Sequence, residues 1–471
     1  MRQPEDNSQE FAGKGLGSQE LASQKLASQE LASQEFGSQE LGSKEMTGHF
    51  NMAGERARLN LGLVLLILLV LSLTACSKFL IPAPKPYLAE DRDSRWVNDL
   101  TYLEKTLPKV HKNLFFQLSA EEFHRQLAEL KEKVPAYSDE QIEIELSVIL
   151  AGIGDTHTGS SIGAEFRYPL ELHWFAEGIY IVGTNQENAE LLYGRILKLN
   201  GRKIEEAVHR IKPVLGEANE SWFKAQIVYY LPIPGVLQYF GLITGEEMEL
   251  GVELRSGEEK TVLLKPVSYK EYVPAERPAE PVPLYRSHLD ENYWFEYLEE
   301  EKTLYFNYGS CRQMREKPFE IFNKEFWNFV QEHEADKLVV DIRDNRGGSS
   351  PLLNPFIQKV KRSGFNELGK LFVIIGRDTF SSAILNAISL KKETKAFFVG
   401  EPTGGEPNHY GEVKQFRLPN SEKPIRYSTK YFHWPEEDVK TLKPDKLIVE
   451  TFAAYREGTD PVLEWILDGE F

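Results

Sequence analysis

Apolar residues recur along this chain in three rhythms, and each rhythm predicts a different kind of element. From Trp96 to Leu150 they fall three and four apart, as in Leu100, Leu103, Leu107 and Val110, then Phe123, Leu127 and Leu130. That is the spacing of one helix face. Ser119 with Glu122, and Ser138 with Gln141, have the form of capping boxes opening the second and third of these helices. From Tyr168 to Leu264 apolar and polar residues alternate, as in Ile179-Tyr180-Ile181-Val182, which predicts strands with one buried face. Beyond Pro274 to Pro283, a stretch rich in proline and glutamate, Tyr293 to Tyr308 predicts two more strands and Phe319 to Glu332 a helix. Short unbroken apolar runs follow at Leu338 to Ile342, Leu371 to Ile375 and Ala396 to Val399, each running into a turn that contains glycine. Strand, glycine turn, helix, strand is the order of an α/β layer whose sites lie at the strand ends.

Upstream of Trp96 the pattern changes character. Ser18-Gln19-Glu20-Leu21-Ala22 repeats every five residues through Met46-Thr47, a period that matches neither helix nor strand and cannot bury a core. Disorder is expected there, and translation starting at Met46 or Met52 is an alternative account of the repeat. From Met52, Arg56 and Arg58 precede the aliphatic run Leu61 to Leu71, and Leu73-Thr74-Ala75-Cys76 places small residues before a cysteine. This resembles the lipobox of bacterial lipoproteins and implies that Cys76 carries lipid as the mature N-terminus. A spanning anchor is the rival reading, for which the apolar run is short. Pro82, Pro84 and Pro86 then read as a stiff tether. The expected organisation is a low-complexity tail (1–51), a signal segment (52–76), a tether (77–95), a helical region (96–160), a β-rich region (161–273) and an α/β core (284–471).

With 471 residues and 41% apolar residues the chain can bury a large core, and a net charge of −17 argues against nucleic acid or anionic lipid as partners. Two cysteines, Cys76 and Cys311, make no disulfide framework, and Cys311 has no motif around it. No group of Cys, His and carboxylates has metal-ligand spacing and no phosphate-binding loop is present, so neither a metal nor a cofactor is expected.

The chemistry concentrates between Lys337 and Gly411. Ser381 falls in the first turn of an expected helix capped by Thr379 or Asp378, where free amides and the helix dipole favour a developing anion. Gly347-Gly348 lets backbone N–H groups approach a substrate carbonyl, and Ser350 is expected to cap a helix beginning at Pro351. The plainer account is that these features only build tight strand-to-helix turns.

Asp341-Ile342-Arg343-Asp344-Asn345-Arg346-Gly347-Gly348 resembles the D-[LI]-R-x-N-x-G-G signature of the tail-specific (C-terminal-processing) serine peptidases. Thr379-Phe380-Ser381-Ser382-Ala383 resembles the segment that carries that family's nucleophile, and Gly400-Glu401-Pro402-Thr403-Gly404-Gly405 its G-E-P-T-x-G turn. The likeness runs from about Trp96 to Val449. Two positions depart from it: Glu406 stands where the family's lysine base follows the last turn, and Ile384 where a glutamate follows the nucleophile. Asp155-Thr156-His157-Thr158 resembles the D-G-H-T segment of branches in which a histidine is the base, which implies His157 for that role. His409 is the second candidate base, with a loop histidine bonded to backbone as its plainer account; Glu437, in the acidic run 436–438, is the candidate orienting carboxylate. Gly194 to Gly201 resembles the strand-turn of PDZ domains, although no carboxylate-binding loop is recognisable.

Together the resemblances imply an α/β fold with a crotonase/ClpP-like ββα spiral core, an N-terminal helical region and an inserted PDZ-like β-subdomain. They imply a lipid-anchored serine peptidase on the extracytoplasmic face of the cell membrane, cleaving peptide or protein substrates through an acyl-enzyme on Ser381, with amides of Gly347, Gly348 and Ser382 holding the oxyanion. The alternative is a catalytically inactive peptidase fold that binds peptides as a scaffold.

Overall fold

The computed structural model describes residues 87–277, 281–434 and 439–469. The five-residue repeat, the signal segment with Cys76 and the carboxylate of Glu437 lie outside them. The chain divides into two units, Met1–Leu88 and Ala89–Phe471, and the helices and sheets of the described residues belong to the second.

Three helices open it: α1 (Arg92–Val110), α2 (Ala120–Lys133) and α3 (Asp139–Ala151). Ser119 accepts from the Glu122 amide to start α2, and Ser138 with Gln141 forms a complete capping box before α3. The apolar stripes read from the sequence pack together: Leu100, Leu103, Leu107, Phe123, Leu127, Leu130, Ile142 and Leu146 share one core.

The next region is a sheet in the order β1-β2-β3-β4-β5, formed by β1 (Leu170–Phe175), β2 (Gly178–Thr184), β3 (Arg195–Leu199), β4 (Met248–Glu253) and β5 (Glu259–Leu264), with neighbours antiparallel. Alternation decides its faces: Met248, Leu250 and Val252 point into the core while Glu249 and Glu253 do not. Asn200-Gly201, with φ of 45° and 74°, makes the tight turn after β3. Between β3 and β4 the chain also forms α4 (Ile204–Ile211) and α5 (Glu220–Tyr230), so this region is less purely β than the alternation suggests. Ile204, Ala207, Val208 and Ile211 of α4 and Phe223 and Ile227 of α5 fill its core.

The last region is built on a six-stranded sheet. Its strands are β6 (Trp294–Leu298), β7 (Thr303–Asn307), β8 (Lys337–Asp341), β9 (Leu371–Ile375) and β10 (Phe397–Gly400). A long hairpin, β11 (His409–Arg417) and β12 (Pro424–Phe432), precedes β13 (Lys446–Leu447), which adds beside β10. The order is β13-β10-β9-β8-β7-β6, parallel except for the antiparallel edge strand β6. Strands β7, β8 and β9 read as apolar runs because both sheet faces are covered. Leu304, Phe306, Leu338, Val340, Val373 and Ile375 pack on one side with α6 (Phe319–Glu332), α7 (Asn354–Val360) and α8 (Ser382–Glu393). Tyr305, Val339, Phe372 and Ile374 pack on the other with α9 (Pro461–Asp468). Leu418 and Ile425, at the tip of the β11–β12 hairpin, join the core of α1–α3.

Two expected helix starts differ. Ser350 opens a 3-10 turn that leads into α7, and no side chain caps it. Helix α8 begins at Ser382 with Ser381 as its N-cap; Thr379 Oγ1 instead donates to the Ile342 carbonyl and accepts from the Gly376 amide.

Candidate active site

The loops after β8 and β9 are laced together at the carboxyl ends of the parallel strands. Besides the Thr379 bonds, the Phe380 amide donates to the Asn345 carbonyl at 3.0 Å, and Ser382 Oγ donates to the Gly348 carbonyl at 2.6 Å. The loop after β10 joins them where the Gly405 amide donates to the Thr379 carbonyl at 2.9 Å. The three glycine turns singled out by the sequence therefore meet around one residue, Ser381.

Ser381 has φ 53° and ψ −123°, a conformation that costs a side-chain-bearing residue about 1–3 kcal/mol and is kept only where the surroundings impose it. An N-cap serine ordinarily spends its hydroxyl on the helix amides. Ser381 does not, so its Oγ is left for other chemistry. Gly347 explains the pairing with glycine: a Cβ there would stand 2.8 Å from Ser381 Cβ and 2.9 Å from the Ser382 nitrogen. At Gly348 a Cβ would stand 2.3 Å from the Cys311 carbonyl oxygen.

The expected oxyanion amides separate on this geometry. The Gly347 N–H donates to Asn345 Oδ1 at 2.9 Å and is committed within its own loop. The amides of Gly348 and Ser382 make no hydrogen bond among the described residues, Ser382 because it is the first residue of α8. Asn345 itself is buried, donating to the Tyr308 carbonyl and accepting weakly from Cys311 Sγ. Cys311 is thus a packed thiol whose backbone pairs with this loop, and burial pushes its pKa up to about 12.

Folding carries His157 to this corner. Its ring stacks on that of Phe380, the residue before Ser381, with centroids 4.6 Å apart and planes at 21°. It also stacks on His409, with centroids 5.4 Å apart and planes at 18°. Both ring nitrogens of His157 are buried without a hydrogen-bond partner, so no bond joins it to Ser381 Oγ in this state. Burial, then the neighbouring His409, lowers its pKa to about 4.

Asp155 lies behind the ring. One carboxylate oxygen accepts from the His157 amide at 3.0 Å and stands 3.8 Å from His157 Nδ1. The other accepts from Thr158 Oγ1 at 2.6 Å and from His111 Nε2 at 3.0 Å. His111 Nδ1 accepts the Asn113 amide, which fixes Nε2 as the protonated nitrogen. Burial raises the Asp155 carboxyl, but the bond from His111, nearby His157 and the Thr158 hydroxyl outweigh it and leave the pKa below its ordinary value.

His409 opens β11, and its Nδ1–H donates to the Glu406 carbonyl at 2.7 Å, the backbone-bonded arrangement of its plainer account. The Glu406 side chain turns to Lys440 at 3.4 Å, and burial raises its pKa. Ile384 sits in the core against the space beside Gly405.

No family model and no curated protein matches the sequence. Solved structures do. Mature CPAF is similar to this chain with a TM-score of 0.55 and 13% identity, over 79% of this chain and 96% of that one. Mature CPAF complexed with lactacystin gives 0.54 and 13%, over 79% and 97%. The photosystem II D1 C-terminal processing protease gives 0.37 and 12%, over 75% and 93%. The chain therefore shares the fold of mature CPAF.

Within that fold several residues that carry no sequence motif bear on the corner. Trp222 of α5 also stacks on Phe380, centroids 4.1 Å apart. Asn219 caps α5 and also donates to the Gly404 carbonyl at 3.0 Å and to the Lys440 carbonyl at 2.8 Å, fixing Trp222 against the glycine turn. Phe432, paired with His409 across the hairpin, stacks on it at 5.2 Å. Sequence reasoning missed all three. Only an Asn two residues before Gly347 was a readable sign that its amide would be taken.

Proposed function

We propose that the chain is a serine peptidase acting through an acyl-enzyme on Ser381. The observation that carries this reading is the unspent Ser381 hydroxyl at a strained strand-to-helix corner, beside two unbonded amides and next in the chain to Phe380, on which the buried His157 ring stacks. Ser381 Oγ attacks the scissile carbonyl carbon while its proton passes to His157. The oxyanion so formed is held by the N–H groups of Gly348 and Ser382. His157 returns the proton to the leaving amine as the C–N bond breaks, and water repeats the sequence to release the acid. Asp155 favours the imidazolium electrostatically.

The same reading includes a ClpP-like spiral core in the parallel sheet with α6–α8, a PDZ-like insertion in the antiparallel one, and the region boundaries expected from the sequence. It also includes peptide or protein substrates, and an extracytoplasmic lipoprotein anchored at Cys76. A second reading, peptide binding without turnover, is favoured by Glu406 in place of a lysine and by the unmade Ser381–His157 bond.

A fluorophosphonate probe decides between them, since only an activated serine reacts. The expected result is labelling that is lost in Ser381→Ala and reduced at least about 10²-fold in rate in His157→Ala. Failure of the folded wild-type chain to label would leave the binding reading.

A further inference from the structure

Five rings from five separate segments form one column through the site. Trp222 lies on Phe380, Phe380 on His157, His157 on His409 and His409 on Phe432, with centroid spacings of 4.1, 4.6, 5.4 and 5.2 Å. Every interplanar angle is between 18° and 28°. Lys430 Nζ closes one end, 4.5 Å from the Phe432 centroid. Phe380 and His409 pack against the His157 ring, whose two nitrogens are buried and carry no hydrogen bond.

That arrangement differs from a base oriented by a hydrogen-bonded carboxylate, because Asp155 Oδ1 is 3.8 Å from His157 Nδ1 and so outside hydrogen-bond range. Something else must fix the ring plane. His409 is suited to do so, since its own plane is set by the bond from Nδ1–H to the Glu406 carbonyl and by Phe432 behind it. We infer that His409 is a positioning residue, which aligns the His157 imidazole for proton transfer by stacking on its face and weakens it as a base when it becomes cationic itself.

The inference rests on the proposal that His157 is the base. The charged groups around the pair are Asp155, beside His157 and attracting its cation, and Arg426 of β12, opposing it. Burial lowers the His409 pKa too, while its bond to the Glu406 carbonyl raises it in part. Two stacked imidazoles cannot both charge without mutual repulsion, so removing the His409 charge should let His157 protonate at higher pH.

The test compares H409F, which keeps a flat ring without a titrating group, with H409Q, which keeps neither ring nor stacking. Two measurements are taken: kcat and KM for peptide hydrolysis, and the titration of the His157 Cε1–H resonance. H409F should keep kcat within about threefold of wild type, whereas H409Q should lose about 10- to 10²-fold in kcat with KM little changed. In H409F the His157 resonance should titrate at higher pH than in wild type. H409F as inactive as His157→Ala would make His409 the base and overturn the assignment. So would an H409Q enzyme with wild-type kcat, or a His157 titration unmoved in H409F. The resonance measurement needs no substrate, so a chain that hydrolyses nothing refutes the peptidase reading and still gives an answer here.

Discussion

His157 is buried with neither nitrogen bonded, and the resulting pKa of about 4 sets both the acid limit of the proposed reaction and a share of the protein's stability. A histidine at its ordinary value would lose its basic form below about pH 6.5. Here the neutral base should persist to about pH 4, and kcat/KM measured across that range should hold well below pH 6. The stability consequence has the same sign. Between pH 6.5 and 4 the unfolded chain takes up a proton at His157 that the folded chain refuses. The contribution is therefore fully present above about pH 6.5 and is lost as pH falls towards 4, on the order of 3 kcal/mol in all. His157→Phe should reduce the drop in denaturant midpoint between those pH values; a drop as large as wild type's would remove the attribution. At this scale the sequence was legible where chemistry is local. Ser381 and Gly347-Gly348 could be read because turn, glycine and nucleophile are neighbours in the chain. The commitment of the Gly347 amide to Asn345 could not be weighed against that pattern without the loop's conformation. The ring column could not be read at all, since its members are scattered from 157 to 432 and share no period.

The elements that carry the site are held by ionic and polar ties as well as by apolar packing, and the clearest is at the end of β8. Arg343 Nε bonds Asp341 Oδ2 at 2.8 Å, and its terminal nitrogens bond both oxygens of Asp460 at 2.9 and 2.8 Å. Asp460 in turn caps α9 by accepting from the Val462 and Leu463 amides, and Tyr305 of β7 donates to Asp341. One guanidinium thus joins β8, β7 and α9 beneath the loop that leads to Gly347. All three charged side chains are largely buried, at 13%, 1% and 6% exposure for Arg343, Asp341 and Asp460. Arg343→Met should therefore leave two carboxylates uncompensated and cost about 3–5 kcal/mol in denaturant unfolding. Adding Asp341→Asn and Asp460→Asn should recover part of that loss, which distinguishes charge from lost packing. A single variant within about 1 kcal/mol of wild type would show the tie to be dispensable. The motif resemblance marked Asp341 and Arg343 but gave them no work, because their partner Asp460 lies at the start of a helix more than a hundred residues on. The apolar runs of β8, β9 and β10 were readable for the opposite reason: strands covered on both faces need no partner to be recognised. The α4 and α5 helices were missed because short helices interrupt a region dominated by alternation.

For the molecule as a whole, the proposal to be tested is anchoring to a membrane through lipid on Cys76. Among the described residues no helix is long and apolar enough to cross one. The proposed attachment is at Cys76, which follows Leu73-Thr74-Ala75 after the aliphatic run from Leu61 to Leu71. A net charge of −17 means that adhesion of the folded protein to anionic lipid would be opposed electrostatically. Attachment through acyl chains has a different signature, since it gains about 0.8 kcal/mol per buried CH₂ and is insensitive to salt. The wild-type protein expressed in a bacterium should then stay with membranes in high salt and partition into the detergent phase on phase separation. Cys76→Ser should either move it to the aqueous phase or leave the signal segment uncleaved. Labelling with a radioactive or alkyne-tagged fatty acid should follow the same residue. Mass spectrometry that finds the mature chain beginning upstream of Cys76, with an unmodified thiol there, would refute lipid anchoring and leave the peptidase proposal standing on its own geometry.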